Sequence, residues 1–264
     1  MKKALFIMAM MAFVATGFAQ KKLVLYFSET QTTQKVALAL QKQLSLPDKA
    51  VVAIELVEPY TGNMMETMQR AQREKQPALK PLKAKIADYD IIFLGYPIWS
   101  GTYALPIASL LKQEDFAGKT IVPFCTFGSG GLESSMADLK KALPKATIKP
   151  GYGVRQARVA SATKELDRFL KENGYVAGKV KALPAYSAQQ PVTDAEKAIF
   201  DAACSSYQFP LGTPQTFGKR TTDDSIDYEF KVKSQGFGGG GESTIYVTMG
   251  KEAGAKPEFT RVVR

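Results

Sequence analysis

Six consecutive residues near the start of the chain concentrate polar chemistry: Ser28, Glu29, Thr30, Gln31, Thr32 and Thr33. They separate LVLYF, which reads as a buried strand, from QKVALAL, which has the spacing of an amphipathic helix. A turn between such elements needs only a few residues, and one hydroxyl is enough to cap a helix. Four hydroxyls in six positions exceed that need. A helix N-terminus offers unpaired N–H groups and the positive end of the dipole, so hydroxyls gathered there make a site for an anion. Ser28, Thr30, Thr32 and Thr33 would ring a monophosphate. Two later stretches carry complementary chemistry. Trp99, the only tryptophan, stands in GYPIWSGTY beside Pro97 and Gly101 and offers a broad face to a flat ring. Thr126, Phe127, Gly128, Ser129, Gly130 and Gly131 follow another apolar run, and their small side chains let backbone amides approach a ligand.

Histidine is absent from the 264 residues, which excludes Ser-His-Asp triads, Cys-His pairs and His-ligated zinc. Two cysteines, Cys125 and Cys204, are too few for a thiolate metal cage. In an oxidising compartment they could pair, but their wide separation gives no pattern for it, and one small apolar thiol in each core is the simpler account. Lys2 and Lys3 precede the apolar run ALFIMAMMAFVATGFA, and Gly17-Phe18-Ala19 places small residues where a signal peptidase reads. The run falls short of the ~20 residues that span a bilayer. The expectation is a signal peptide over residues 1–19 and export to the periplasm or beyond the cell, with no stable membrane insertion after cleavage. Loss of Lys2 and Lys3 takes the formal charge from +10 to +8. The lysines are scattered without arginine blocks or basic–aromatic alternation, which argues against nucleic-acid binding.

The elements that position the three loops alternate. After KLVLYF comes a helix over Gln34–Leu44, then the apolar run AVVAIELV, of the kind expected in a strand covered on both faces. A helical stretch, NMMETMQRAQREK, is broken by QPALKP. DIIFLGYP is the third strand, followed by a short helix over Leu105–Lys112 with Pro106 in its first turn. KTIVPFC is the fourth, with the helix LESSMADLKKAL after it, and TIKPGYGV is a weaker fifth. SATKELDRFLKENG closes the unit, with Ser161 or Thr163 as N-cap and Gly174 at its end. Strict alternation argues for a parallel sheet with helices on both faces. Right-handed crossovers then bring loops 28–33, 96–102 and 126–131 to one edge, where such sheets bind ligands. Residues 179–192 read as a linker. Beyond it, Thr193 and Glu196 form a capping box for a helix to about Cys204, and TPQTFGKR, SIDYEFKVK, STIYVTMG and EFTRVVR alternate like strands of an antiparallel sheet. GFGGGGES reads as a hairpin connection, since no helix follows it as a phosphate loop requires.

The first loop, Ser28-Glu29-Thr30-Gln31-Thr32-Thr33 after LVLYF, resembles the phosphate loop of flavodoxins, with Gln31-Thr32 where that family carries Gly-Asn. DYDIIFLGYPIWSGTYALP is similar to the Gly-x-Pro-Ile-Trp-x-Gly-Thr segment of the flavodoxin-like branch common in anaerobic bacteria. PFCTFGSGG resembles that branch's third loop, with Phe127 where relatives often have histidine. PYTGNMMETMQRAQREKQPALKP is also family-like. The resemblance covers about residues 22–178. It implies a three-layer flavodoxin-like sandwich over residues 20–178, with a five-stranded parallel sheet in the order 2-1-3-4-5. It also implies non-covalent FMN, with Ser28, Glu29, Thr30, Gln31, Thr32 and Thr33 at the phosphate. Tyr96, Pro97, Ile98, Trp99, Ser100 and Gly101, with Thr126, Phe127, Gly128, Ser129 and Gly130, would surround the isoalloxazine. No catalytic side chain and no metal is implied. The expected function is electron transfer by an exported flavoprotein to a redox partner protein or small acceptor, acidic or anionic to suit the +8 charge. An FMN-dependent reductase of quinones or similar acceptors is the alternative, as is a binding protein that keeps the fold without the flavin. Residues 193–264 form a small α+β domain with an antiparallel sheet, faintly similar to cystatin-like folds and without an implied role.

Overall fold

The computed structural model describes residues 20–60, 63–74, 76–234 and 241–264. The expected signal peptide and most of the glycine-rich connection lie outside the described residues. β1 (Lys22–Tyr26) is followed by α1 (Thr32–Gln43), β2 (Val51–Ala53), α2 (Met64–Arg73), β3 (Ile91–Trp99), β4 (Thr102–Tyr103) and α3 (Leu105–Gln113). β5 (Thr120–Phe127), α4 (Leu132–Ala142), β6 (Thr147–Ile148), β7 (Tyr152–Arg155) and α5 (Thr163–Glu172) complete the first unit.

Its sheet runs β2-β1-β3-β5-β6, with β7 also paired to β5, so the order 2-1-3-4-5 holds with the fifth strand in two pieces. The pairs are parallel, with Lys22 opposite Ile91 and Ile91 opposite Thr120. Pro150 accounts for the division: it has no N–H to donate, and between Ile148 and Tyr152 the chain bulges away from the β5 ladder. The ladder stops after Ile148 and resumes at Tyr152 opposite Phe124. The apolar runs are continuous because both faces are covered. Leu23 and Leu25 join Ile92, Leu94, Ile107, Leu110 and Leu139 on one side, while Val24, Tyr26 and Phe93 join Val36, Leu40, Leu166 and Leu170 on the other. Burying each such side chain contributes about 1.5–3 kcal/mol.

Helix ends differ from expectation in instructive ways. α1 starts at Thr32, two residues before Gln34, because Gln31 takes up the turn. At α5 neither Ser161 nor Thr163 caps: the N-cap is Ala162, since a 3₁₀ turn over Gln156–Ser161 already leads the chain in. Gly174 does end that helix, with φ 71°, and the N–H of Tyr175 returns to the Leu170 carbonyl at 2.8 Å.

In the C-terminal unit, β8 (Gln190–Pro191), α6 (Asp194–Cys204), β9 (Thr213–Thr221), β10 (Ser225–Ser234), β11 (Gly241–Gly250) and β12 (Glu258–Val263) build an antiparallel sheet in the order β12-β11-β10-β9-β8. Phe200 and Ala203 of α6 pack on Phe217, Phe230, Ile245, Val247 and Phe259. The stretch expected as a linker supplies the edge strand β8 and lays Tyr186 against Tyr246 and Arg220. The expected capping box is not formed: the Thr193 hydroxyl donates to the Glu196 carboxylate instead of accepting from the backbone.

The two units meet at β12. The Val262 N–H donates to the Ser129 carbonyl at 2.7 Å. Arg158, 9% exposed, donates to Glu165 of α5 at 2.6 Å and to Glu258 of β12 at 2.8 Å.

Candidate functional site

At the head of α1 the backbone does what a Gly-Asn turn would do. Gln31 has φ 61° and ψ 1°, a left-handed conformation that costs a non-glycine residue roughly 1–2 kcal/mol. No side chain caps α1, and its first turn holds no acidic residue, so the leading N–H groups are left for an outside acceptor. The Ser28 hydroxyl is enclosed yet has no hydrogen-bond partner among the described residues. Thr30 and Thr32 hydroxyls lie 3.1 Å apart at the surface. These groups fit an anion: the helix end is uncapped, and the Ser28 hydroxyl is buried and unsatisfied, which is costly unless a ligand completes it. The other two predicted residues are committed elsewhere. Thr33, 1% exposed, shares a 2.8 Å hydrogen bond with Thr126, tying the first loop to the third. Glu29 accepts from the buried Thr67 hydroxyl at 2.5 Å, which draws its charge toward α2 and fixes the turn.

The second loop is a hairpin. β3 extends through Trp99 and β4 folds back on it, with Trp99 opposite Thr102. The two turn residues, Ser100 and Gly101, both have positive φ, 50° and 85°, as a two-residue turn matching the strand twist requires. Trp99 is half-buried. It meets Phe27 edge-on at 5.8 Å and Tyr60 at 5.4 Å between ring centres, and the Arg70 guanidinium lies 4.8 Å over Tyr60. Pro97 and Ile98 are also half-buried, with Ser100 and Gly101 exposed. Tyr96 departs from its expected role. It is fully buried with its hydroxyl 3.2 Å from Ser135, because its position in β3 turns it into the core, and burial pushes its phenol pKa up.

In the third loop Phe127 likewise faces the core, 4% exposed and packed under Gly153, so its ring presents no face to the edge. The accessible part is Gly128, Ser129 and Gly130. Arg155 donates to the Gly128 carbonyl at 2.8 Å. Ser134 of α4 donates to the Gly101 carbonyl, and Thr102 to Asp138 at 2.7 Å, so α4 clamps the second loop beside the third. The cysteines are separate thiols, and burial pushes the Cys204 pKa up to about 12. No group of carboxylates and thiols suited to a metal occurs among the described residues.

Three loops at the carboxyl edge of a doubly wound parallel sheet, over an uncapped helix, define an α/β protein of flavodoxin type. The chain belongs to the flavodoxin family, whose sequence profile it matches over residues 21–172. Among solved structures it is similar to a Bacteroides uniformis protein assigned as a flavoprotein, at 26% identity and a TM-score of 0.48, over 56% of this chain and 97% of that one. A Bacteroides eggerthii protein assigned as a flavoprotein is 28% identical, with a TM-score of 0.45, over 55% and 97%. A Lactobacillus acidophilus flavoprotein solved in complex with FMN is 21% identical, with a TM-score of 0.45, over 54% and 98%. No match was found among curated protein sequences. The C-terminal unit lies outside the family match.

Sequence reasoning missed three parts of this edge: Tyr60 with Arg70, Thr67 as the anchor of Glu29, and the contact of β12 with the third loop. The first two lie in or beside the family-like stretch 59–81, which was legible as a match but not as a neighbour of Trp99.

Proposed function

We propose that this protein is an exported flavoprotein that holds FMN non-covalently at the edge formed by its three loops and passes electrons to a protein or small acceptor. The observation that carries the reading is the enclosed, unpartnered Ser28 hydroxyl beside the uncapped N-terminus of α1. Ser28, Thr30, Thr32 and the leading amides of α1 would hold the phosphate, with Gln31 shaping the turn and Glu29 turned away toward Thr67. Trp99 and the 128–130 backbone would border the isoalloxazine. FMN, once bound, supplies one- and two-electron redox chemistry, and the chain supplies binding, orientation and electrostatics. Electron transfer through FMN calls for no covalent catalytic side chain, which agrees with a chain that has no histidine. The +8 charge expected after cleavage favours an acidic partner or anionic acceptor, with association that slows as salt rises.

Titration with FMN tests the reading. A yellow complex at micromolar concentration, with quenching of both flavin and Trp99 fluorescence, is expected; no complex at that concentration would remove it. Turnover with NAD(P)H and a quinone separates the alternatives, since useful steady-state rates mark a reductase and their absence, with exchange to a protein partner, marks a carrier. Export rests on Lys2, Lys3 and the run ending at Ala19. A mature N-terminus at or near Gln20 is expected, and an intact Met1 on protein recovered from the native host would contradict it.

A further inference from the structure

We infer that the C-terminal sheet is a working part of the cofactor edge: β12 holds the 128–131 loop in its binding conformation, with Arg155 as the positioning residue. The inference rests on the FMN reading above. Two successive carbonyls of the loop are taken from the same side, Gly128 by the Arg155 guanidinium at 2.8 Å and Ser129 by the Val262 N–H at 2.7 Å. The chain has no cis peptide among the described residues. In a planar trans peptide the N–H points opposite to its carbonyl. Turning the Gly128 and Ser129 carbonyls toward Arg155 and β12 therefore turns the Ser129 and Gly130 N–H groups away from the C-terminal unit. Two adjacent donors facing one way suit an acceptor-rich ring edge such as the pyrimidine side of a flavin.

The contact has no slack. A Cβ on Gly130 would lie 2.2 Å from the Val262 carbonyl oxygen. Arg155 is itself fixed: 8% exposed, it donates also to the Phe259 carbonyl at 3.0 Å and lies 4.2 Å over the Phe259 ring and 5.6 Å over Tyr207. It thus reaches both units at once, which a lysine with its single ammonium centre would not do in the same fork geometry.

Arg155→Lys and Gly130→Ala should each weaken FMN and riboflavin by the same factor, about tenfold, because the loop touches the ring and not the phosphate. Far-UV circular dichroism monitors the fold of each variant. Binding is reciprocal, so saturating the wild-type chain with FMN should slow amide exchange at Val262, a readout that needs no variant. If wild-type protein binds FMN but Val262 exchange is unchanged, or if both variants fold and bind with wild-type affinity, the inference is overturned while the FMN reading stands. If wild-type protein binds no FMN, both fall.

Discussion

Gln31 marks the clearest substitution of one chemistry for another. The turn it occupies needs a left-handed residue, and glutamine supplies one at φ 61°, held there by the loop and α1 on either side. A β-branched residue tolerates that conformation less well. Gln31→Val should lower the unfolding free energy by about 1–2 kcal/mol in urea titration; an unchanged midpoint and slope would mean the turn relaxes freely. Trp99 has two roles in competition, a plug against Phe27 and Tyr60 or a wall for the flavin. Aromatic stacking on a base-like ring is worth roughly 1–3 kcal/mol, so Trp99→Ala should raise the FMN Kd by about one to two orders of magnitude. Unchanged affinity would leave it the plug alone. The concentration of polar residues in this turn was legible, because four hydroxyls exceed what one cap uses. Their allocation was not: Thr33 finds Thr126 and Glu29 finds Thr67 across long stretches of chain, and no local pattern encodes such pairs.

Among the elements, strongly periodic segments were legible and their ends were not. α3 and α4 match their expected spans closely, since apolar spacing and Pro106 fix them locally. The hairpin of β3 and β4 was hidden because Ser100 is not one of the residues that usually announce such a turn. β8 was hidden because its two residues, one of them a proline, read as connection. Caps separate real from apparent signals. Asn63 caps α2 by accepting from Met65 at 2.9 Å, so Asn63→Ala should cost about 1 kcal/mol. Thr193→Ala should cost less than about 0.5 kcal/mol, since its hydroxyl serves a side chain and not the backbone. Equal losses in thermal unfolding of the two variants would contradict this assignment.

At the scale of the whole molecule, the second unit meets the third loop through β12, where Val262 donates to the Ser129 carbonyl, and Arg155 and Arg158 of the first unit donate to Phe259 and Glu258 of that strand. Composition announced a second unit but could not announce this contact, which depends on where β12 ends in space. The absence of histidine shapes the pH response. No side chain has an ordinary pKa near 6.5–7.5, so stability should be flat from about pH 6 to 8. Burial raises the pKa of Cys125, Cys204, Tyr96 and Tyr152. Their neutral forms therefore favour the folded state, and that contribution is complete below the unfolded values. It should be lost as pH rises past about 8.5 for the thiols and about 10 for the phenols. Chemical denaturation across pH 6–11 checks this; a stability loss between pH 6 and 8 would contradict it. The central claim is that the head of α1 is a phosphate site, and the most direct test compares FMN with riboflavin on the wild-type chain. Each charge-assisted hydrogen bond contributes about 1.5–3 kcal/mol, so two of them predict FMN binding tighter than riboflavin by at least about 100-fold; equal dissociation constants would contradict the account.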